Sequence, residues 1–218
     1  MAARAPDARR NALDPRCDTT HLLALAAALG WASGLRFYAV VFMTGLAGAL
    51  GVVELPAGLR VLESPWVLGA SGFLLLVEFF ADKVPALDSL WDIVHTLVRV
   101  PGGAALAAAV FGVDGGTMAV VAGLLGGTLA AVSHTAKATA RTAANTSPEP
   151  FSNFGLSIVD DVAAPLALWL AWTHPGIFFA VLAVVVVSMV AVVWVLWRFL
   201  ARLARRVAGW FGTRPAEG

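Results

Sequence analysis

The sequence predicts an all-α polytopic membrane protein with about six transmembrane helices, several of them kinked or broken. Of its 218 residues, 59% are hydrophobic and only 13% are charged, and the mean hydropathy is +0.81. A soluble domain carries about 25% charged residues, so a soluble globular enzyme is excluded. The apolar runs are continuous and do not alternate with a period of two, which argues against a transmembrane barrel. The single cysteine, Cys17, excludes a disulfide framework, and a net charge of +1 gives no reason to expect a nucleic-acid partner.

Six apolar stretches are predicted to cross the membrane, since a hydrocarbon core of about 30 Å needs about 20 mostly apolar residues in a helix. They are Leu22–Leu50, Trp66–Ala81, Ile93–Val113, Met118–Ala136, Phe154–Trp172 and Ile177–Leu196. Pro101, followed by two glycines, and Pro165 lie inside the third and fifth stretches, where they predict kinks or breaks. Only the sixth stretch contains neither a charged residue nor a histidine.

The arginines at both ends of the chain predict its orientation. Residues 1–20 form a polar N-terminal tail, residues 21–200 the helical domain and residues 201–218 a basic C-terminal tail. Basic residues favour the cytoplasmic side, so both termini are expected in the cytoplasm, with an even number of crossings. The expected location is the bacterial inner membrane. The expected partners are the lipid bilayer and, for a homo-oligomer, further copies of the chain.

Ionisable residues recur at helical spacing, so each set is expected to occupy one helix face. The two sets are Asp88, Asp92, His95 and Arg99, and His134, Lys137 and Arg141, which the polar Asn145 continues on the same face. Charged groups inside a bilayer are costly, and they usually pair or serve a function. We therefore expect Asp160 or Asp161 to pair with Lys137 or Arg141. We also expect Arg36 or Arg99 to face Glu78 or Asp82.

The two halves of the chain show a weak likeness that predicts a 3+3 inverted repeat. In each half a helix with a basic residue precedes one with acidic residues, with Arg36 before Glu78 and Lys137 before Asp160. Such repeats are common in small secondary transporters, although the third and sixth helices do not match here. The pairs Gly30/Gly34 and Gly123/Gly127 also predict close helix packing.

Three sequence strings resemble a bacterial membrane-protein family that carries only a domain-of-unknown-function label, four-one-two-six. They are Ala-Ser-Gly-Leu-Arg at 32–36, Glu-Phe-Phe-Ala-Asp-Lys-Val-Pro at 78–85 with Asp88 and Trp91-Asp92, and the segment from His134 through Ser-Pro-Glu-Pro-Phe-Ser-Asn at 147–153. The resemblance covers roughly residues 22–200. It implies a small multi-spanning protein, and it assigns no activity and no role to any residue.

We call these sets of ionisable residues on single helix faces the charged stripes. They favour a transporter or channel for a small ion or a polar or anionic solute. The candidate substrate-binding residues are Arg36, Arg99, His134, Lys137 and Arg141. The candidate ion-coupling residues are Glu78, Asp82, Asp92, His95, Asp160 and Asp161. A structural or accessory membrane subunit is the main alternative. An intramembrane metal-dependent enzyme acting on lipid is less favoured, because no His-Glu-x-x-His or Gly-x-Ser-x-Gly motif occurs. No cofactor is expected, and the sequence leaves a metal site open.

Overall fold

The computed structural model describes residues 18–81, 85–145 and 151–211. Helices make up this part of the chain, and no strand occurs within it. The α-helices are α1 (Thr19–Ala49), α2 (Pro65–Ala81), α3 (Pro85–Ala109), α4 (Gly116–Ala144), α5 (Phe151–Thr173) and α6 (Pro175–Phe211). Two 3₁₀ helices, Ala57–Glu63 and Val113–Gly115, lie in the connections before α2 and α4.

Four of the described helices are long and apolar enough to cross a membrane: α1, α4, α5 and α6. A fifth span results if the 3₁₀ helix Ala57–Glu63 and the segment Pro65–Phe80, which meet at 69°, form one bent crossing. The helices coincide with the six predicted stretches, but α3 is not among these candidate spans. It carries Asp88, Asp92 and Arg99 within its length. Length and composition therefore support four or five spans, and a count of six requires α3 to cross as well.

Helix α1 lies at the centre of the bundle, because it contacts each of the other five α-helices. Its apolar window is 83% buried inside the protein. In contrast, no residue is buried in the most apolar 18-residue window of α6, which lies within Pro175–Arg202. In a bilayer, the valine-rich surface of α6 therefore faces lipid, while α1 faces other helices.

Small residues bring α1, α3 and α4 into backbone contact. A Cβ atom placed on Gly30 would lie 2.4 Å from the Cα atom of Gly126, and one on Gly103 would lie 2.8 Å from the Cβ of Ala130. No side chain larger than hydrogen fits at the Gly30–Gly126 crossing. The predicted Gly123/Gly127 pair packs against α3 beside Ala104 and is not the surface that meets α1.

The backbone of α1 is interrupted at Arg36, where φ is −144° and ψ is 77°. The sequence predicted breaks at prolines, yet α3 and α5 continue past Pro101 and Pro165. A break in a helix leaves carbonyl groups without their intrahelical donors. The position of this break in the central helix determines where the charged side chains lie.

Candidate functional site

Glu78 and Arg99 form the most deeply buried ion pair among the described residues. Arg99 Nη2 lies 2.7 Å from Glu78 Oε1, and both side chains are 0% exposed. The second nitrogen, Arg99 Nη1, lies 3.3 Å from His134 Nδ1, while His134 Nε2 lies 2.7 Å from Thr96 Oγ1. We call these four residues the Glu78 cluster. It joins α2, α3 and α4.

The hydrogen bonds of the Glu78 cluster define the tautomer of His134. A guanidinium group can only donate, so His134 Nδ1 must accept the bond from Arg99. The proton of the neutral ring then sits on Nε2, which donates to the hydroxyl oxygen of Thr96. Both ring nitrogens are therefore engaged within the protein.

Tyr38 and His95 form a polar contact between α1 and α3. The Tyr38 hydroxyl lies 3.1 Å from His95 Nε2, and the two rings meet edge to face at a centroid distance of 5.5 Å. His95 is one helical turn from Arg99, so this contact adjoins the Glu78 cluster. Tyr38 is the only tyrosine in the chain.

Helix α5 supplies two adjacent carboxylates to three basic side chains. Arg36 Nη2 lies 2.7 Å from Asp161 Oδ1 and donates to Ser157 Oγ at 3.0 Å. Asp160 Oδ2 lies 3.4 Å from Lys137 Nζ and 3.6 Å from Arg141 Nη2. We call Arg36, Lys137, Arg141, Asp160 and Asp161 the Asp160 cluster. It joins α1, α4 and α5.

Helix α4 donates two hydrogen bonds to carbonyl groups of α1 on the N-terminal side of the break. Lys137 Nζ donates to the carbonyl oxygen of Leu35 at 2.9 Å. One turn earlier on α4, Ser133 Oγ donates to the carbonyl oxygen of Trp31 at 2.7 Å. A positive charge near the carboxyl end of a helical segment also interacts favourably with the helix dipole. Lys137 thus connects the broken helix to the carboxylates of α5.

The comparisons with known proteins connect this arrangement to one family. A family model described as a domain of unknown function, DUF4126, matches residues 23–198. The chain belongs to this family. Comparison with curated proteins and with solved structures found no match. In this DUF4126 chain the matched region contains both charged clusters and all six α-helices apart from the ends of α1 and α6.

The pairs predicted from the stripes of this DUF4126 chain are present. Asp160 pairs with Lys137 and with Arg141, and Arg99 faces Glu78. Arg36 takes Asp161 as its partner, which the sequence did not predict, because the break turns residue 36 toward α5. The side chains of Asp82, Asp88 and Asp92 lie outside the described part of the structure.

The described residues contain no group of three or more histidine, cysteine or acidic side chains that could hold a metal ion. His95, a candidate ion-coupling residue, contacts Tyr38, and His134, a candidate substrate-binding residue, contacts Arg99 and Thr96. Tyr38 and Thr96 were missed by the sequence reasoning. The position of the sole tyrosine, two residues after Arg36, is the only sequence signal that could have indicated Tyr38.

An apolar groove of about 470 Å³ lies beside the Glu78 cluster, between α1, α2, α3 and the first 3₁₀ helix. Tyr38 borders this groove, and its hydroxyl provides the link to His95. On α2 the groove ends at Leu74, one turn before Glu78. Charged and apolar sites are therefore adjacent but chemically distinct.

Proposed function

We propose that this protein is a multi-pass transporter or channel of the bacterial inner membrane, carrying a small ion or a polar or anionic solute. The observation that supports it most is the break of the central helix at Arg36, where Lys137 of α4 and Asp161 of α5 meet α1. Discontinuous helices that meet charged groups in the middle of a bundle are a recurring feature of secondary transporters.

The pairing of the charges supports a role in conduction, since ionisable groups inside a membrane are costly and mark ion or substrate pathways. We assign substrate contact to Arg36, Arg99, His134, Lys137 and Arg141. Exchange of protons or cations is assigned to Glu78, Asp160 and Asp161, with His95 beside them. The side chains of Asp82 and Asp92 lie outside the described residues, and their coupling role rests on the sequence alone.

The proposal includes six crossings, with both termini in the cytoplasm. The basic residues of the two tails support this orientation, and α3 then serves as the third span, with Arg99 between Glu78 of α2 and His134 of α4. A 3+3 inverted repeat is supported by the corresponding positions of Arg36 on α1 and Lys137 on α4. Each of these basic residues pairs with one of the two adjacent carboxylates of α5.

The test is ion flux into proteoliposomes that contain the purified full-length chain. Chloride, phosphate, potassium and proton fluxes are each followed with an ion-sensitive dye or electrode. We expect the chain to accelerate at least one flux over empty liposomes, and E78Q and D160N to reduce it at least about tenfold, the effect of a loss of about 1.4 kcal/mol. The matched control is E54Q, because Glu54 is an exposed acid outside both clusters. Flux equal in E78Q, D160N and E54Q would contradict the proposal.

A structural or accessory subunit is the second candidate function. It is favoured by the fully buried Glu78–Arg99 pair, which joins α2 to α3 without contact with solvent. Under this alternative E78Q unfolds at a lower temperature than the wild type, and no tested ion crosses faster than in empty liposomes. Flux by the wild type separates the two functions, because the loss of Glu78 is expected to lower stability under both of them.

A further inference from the structure

We propose that the apolar groove between α1, α2 and α3 binds one acyl chain of a membrane lipid. The groove has a buried floor and an exposed rim. Its floor includes Val41, Leu62 and Leu106, each less than 9% exposed. Its rim includes Trp66, which is 87% exposed, together with the exposed small residues Ala70 and Ala105. This binding site is independent of the transport proposal.

The occupant follows from where the groove lies. One wall belongs to α1, a candidate span, and another to α2, which forms the fifth, bent candidate together with the first 3₁₀ helix. The phase in contact with an open apolar surface there is lipid hydrocarbon. Trp66 stands at the end of α2 that follows the Leu50–Ser64 connection, a position typical of tryptophan at a membrane interface. A lipid of that leaflet is thus positioned to insert its chain from the Trp66 end.

The dimensions of the groove fit a single chain. From Trp66 to Leu74 the rise along α2 is about 12 Å, close to the depth of roughly 15 Å that one leaflet contributes to the hydrocarbon core. The space of about 470 Å³ lies along this length, between α1, α2 and α3. The groove is therefore long enough for the part of one acyl chain that crosses most of one leaflet.

Helix α2 packs mainly against α1 and only lightly against α3, which leaves the groove between α2 and α3 open. Phe73, Leu76 and Phe80 of α2 are exposed, and Gly69 has no atom within 4 Å of an added Cβ. Closer to the floor, Gly102 of α3 lies directly under the ring of Phe37, so this part of the wall is closed by tight contact. A lipid chain therefore fills a space between helices that the protein's own side chains leave empty.

The test is native mass spectrometry of the full-length chain after reconstitution in phosphatidylethanolamine and phosphatidylglycerol with palmitoyl and oleoyl chains, followed by extraction into detergent. We expect one phospholipid retained per wild-type protein. A105W and A70W place an indole ring in the groove from two different helices. Since each methylene displaced from an apolar site lowers affinity several-fold, we expect about tenfold lower retention in both.

The matched control is A183W, an exposed alanine of α6 outside the groove. It should retain lipid as the wild type does. Circular dichroism on each preparation identifies a variant that does not fold, and the other groove variant then decides the result. Absence of retained lipid in the wild type overturns the proposal. Equal retention in the wild type and all three variants also overturns it, because the lipid would then be bound elsewhere. Binding of a second copy of the chain instead of lipid overturns it as well.

Discussion

At the residue scale, the Glu78–Arg99 pair shows how a charged group is accommodated inside this bundle. Removing two ions from water costs several kcal/mol each, and only close geometry with further hydrogen bonds offsets that cost. Arg99 has two partners from different helices, Glu78 on α2 and His134 on α4. The guanidinium group of Arg99 therefore connects α3 to both α2 and α4.

The first prediction concerns the loss of one member of this pair. E78A leaves the buried Arg99 without its carboxylate, so we expect it to lower the free energy of unfolding by about 3–5 kcal/mol. The double variant E78L/R99M replaces both charges with apolar side chains and should recover most of this loss. Denaturant unfolding in detergent micelles measures both values.

The exposed acid Glu54 supplies the control for this prediction, because E54A removes a carboxylate that has no buried partner among the described residues. Its effect should stay within the range of about ±0.5 kcal/mol typical of surface substitutions. If E78A were no more destabilising than E54A, the pair would not hold α2 to α3.

At the element scale, the break in α1 depends on contacts that a linear sequence does not contain. The surrounding segment is rich in alanine and leucine, and its hydropathy predicts one long helix. Two donors of α4 bond to carbonyls before the break, and two acceptors of α5 bind the guanidinium of Arg36. The positions of the helices followed from hydropathy, but the discontinuity arises from tertiary packing.

The charged stripes were predictable for the same reason that the helices were. A spacing of three, four or seven residues places side chains on one face whatever the neighbouring helices are. Inside a membrane, an acidic helix face can pair only with one of the few basic faces of the other helices. The Lys137–Asp160 and Arg99–Glu78 pairs could therefore be predicted. The pair between Arg36 and Asp161 could not be predicted, because it depends on the direction of the backbone at residue 36.

The second prediction tests the crossing of α1 and α4. G30A places a methyl group 2.4 Å from the backbone of Gly126, so the helices must separate. We expect a loss of about 1–3 kcal/mol in the free energy of unfolding, as for other overpacked sites. G69A is the control, because its added Cβ meets no atom within 4 Å and alanine favours a helix by up to about 1 kcal/mol over glycine. Thermal unfolding would contradict this packing if both variants moved the midpoint in the same direction.

At the scale of the whole molecule, charged side chains lie inside and apolar side chains lie outside, which is the reverse of a soluble protein. The buried set contains Arg36, Glu78, Arg99 and Lys137, whereas the outer surface of α6 is a series of exposed valines. In a bilayer the outside is hydrocarbon, so apolar side chains face lipid and ionisable ones pair in the interior. A bundle of this kind has a defined orientation in the membrane, and the side on which its N-terminus lies can be measured.

The third prediction concerns that orientation. Cys17 is the only cysteine of the chain and precedes α1, so it reports the side of the N-terminus without any engineered residue. We expect a membrane-impermeant maleimide to label it in inside-out vesicles and not in right-side-out vesicles, since the basic tails favour the cytoplasm. The variant C17S/V52C moves the thiol to the exposed connection after α1, and its labelling should have the opposite sidedness. Labelling of Cys17 from the outside would reverse the assigned orientation, and labelling of both positions from one side would mean that α1 does not cross the membrane.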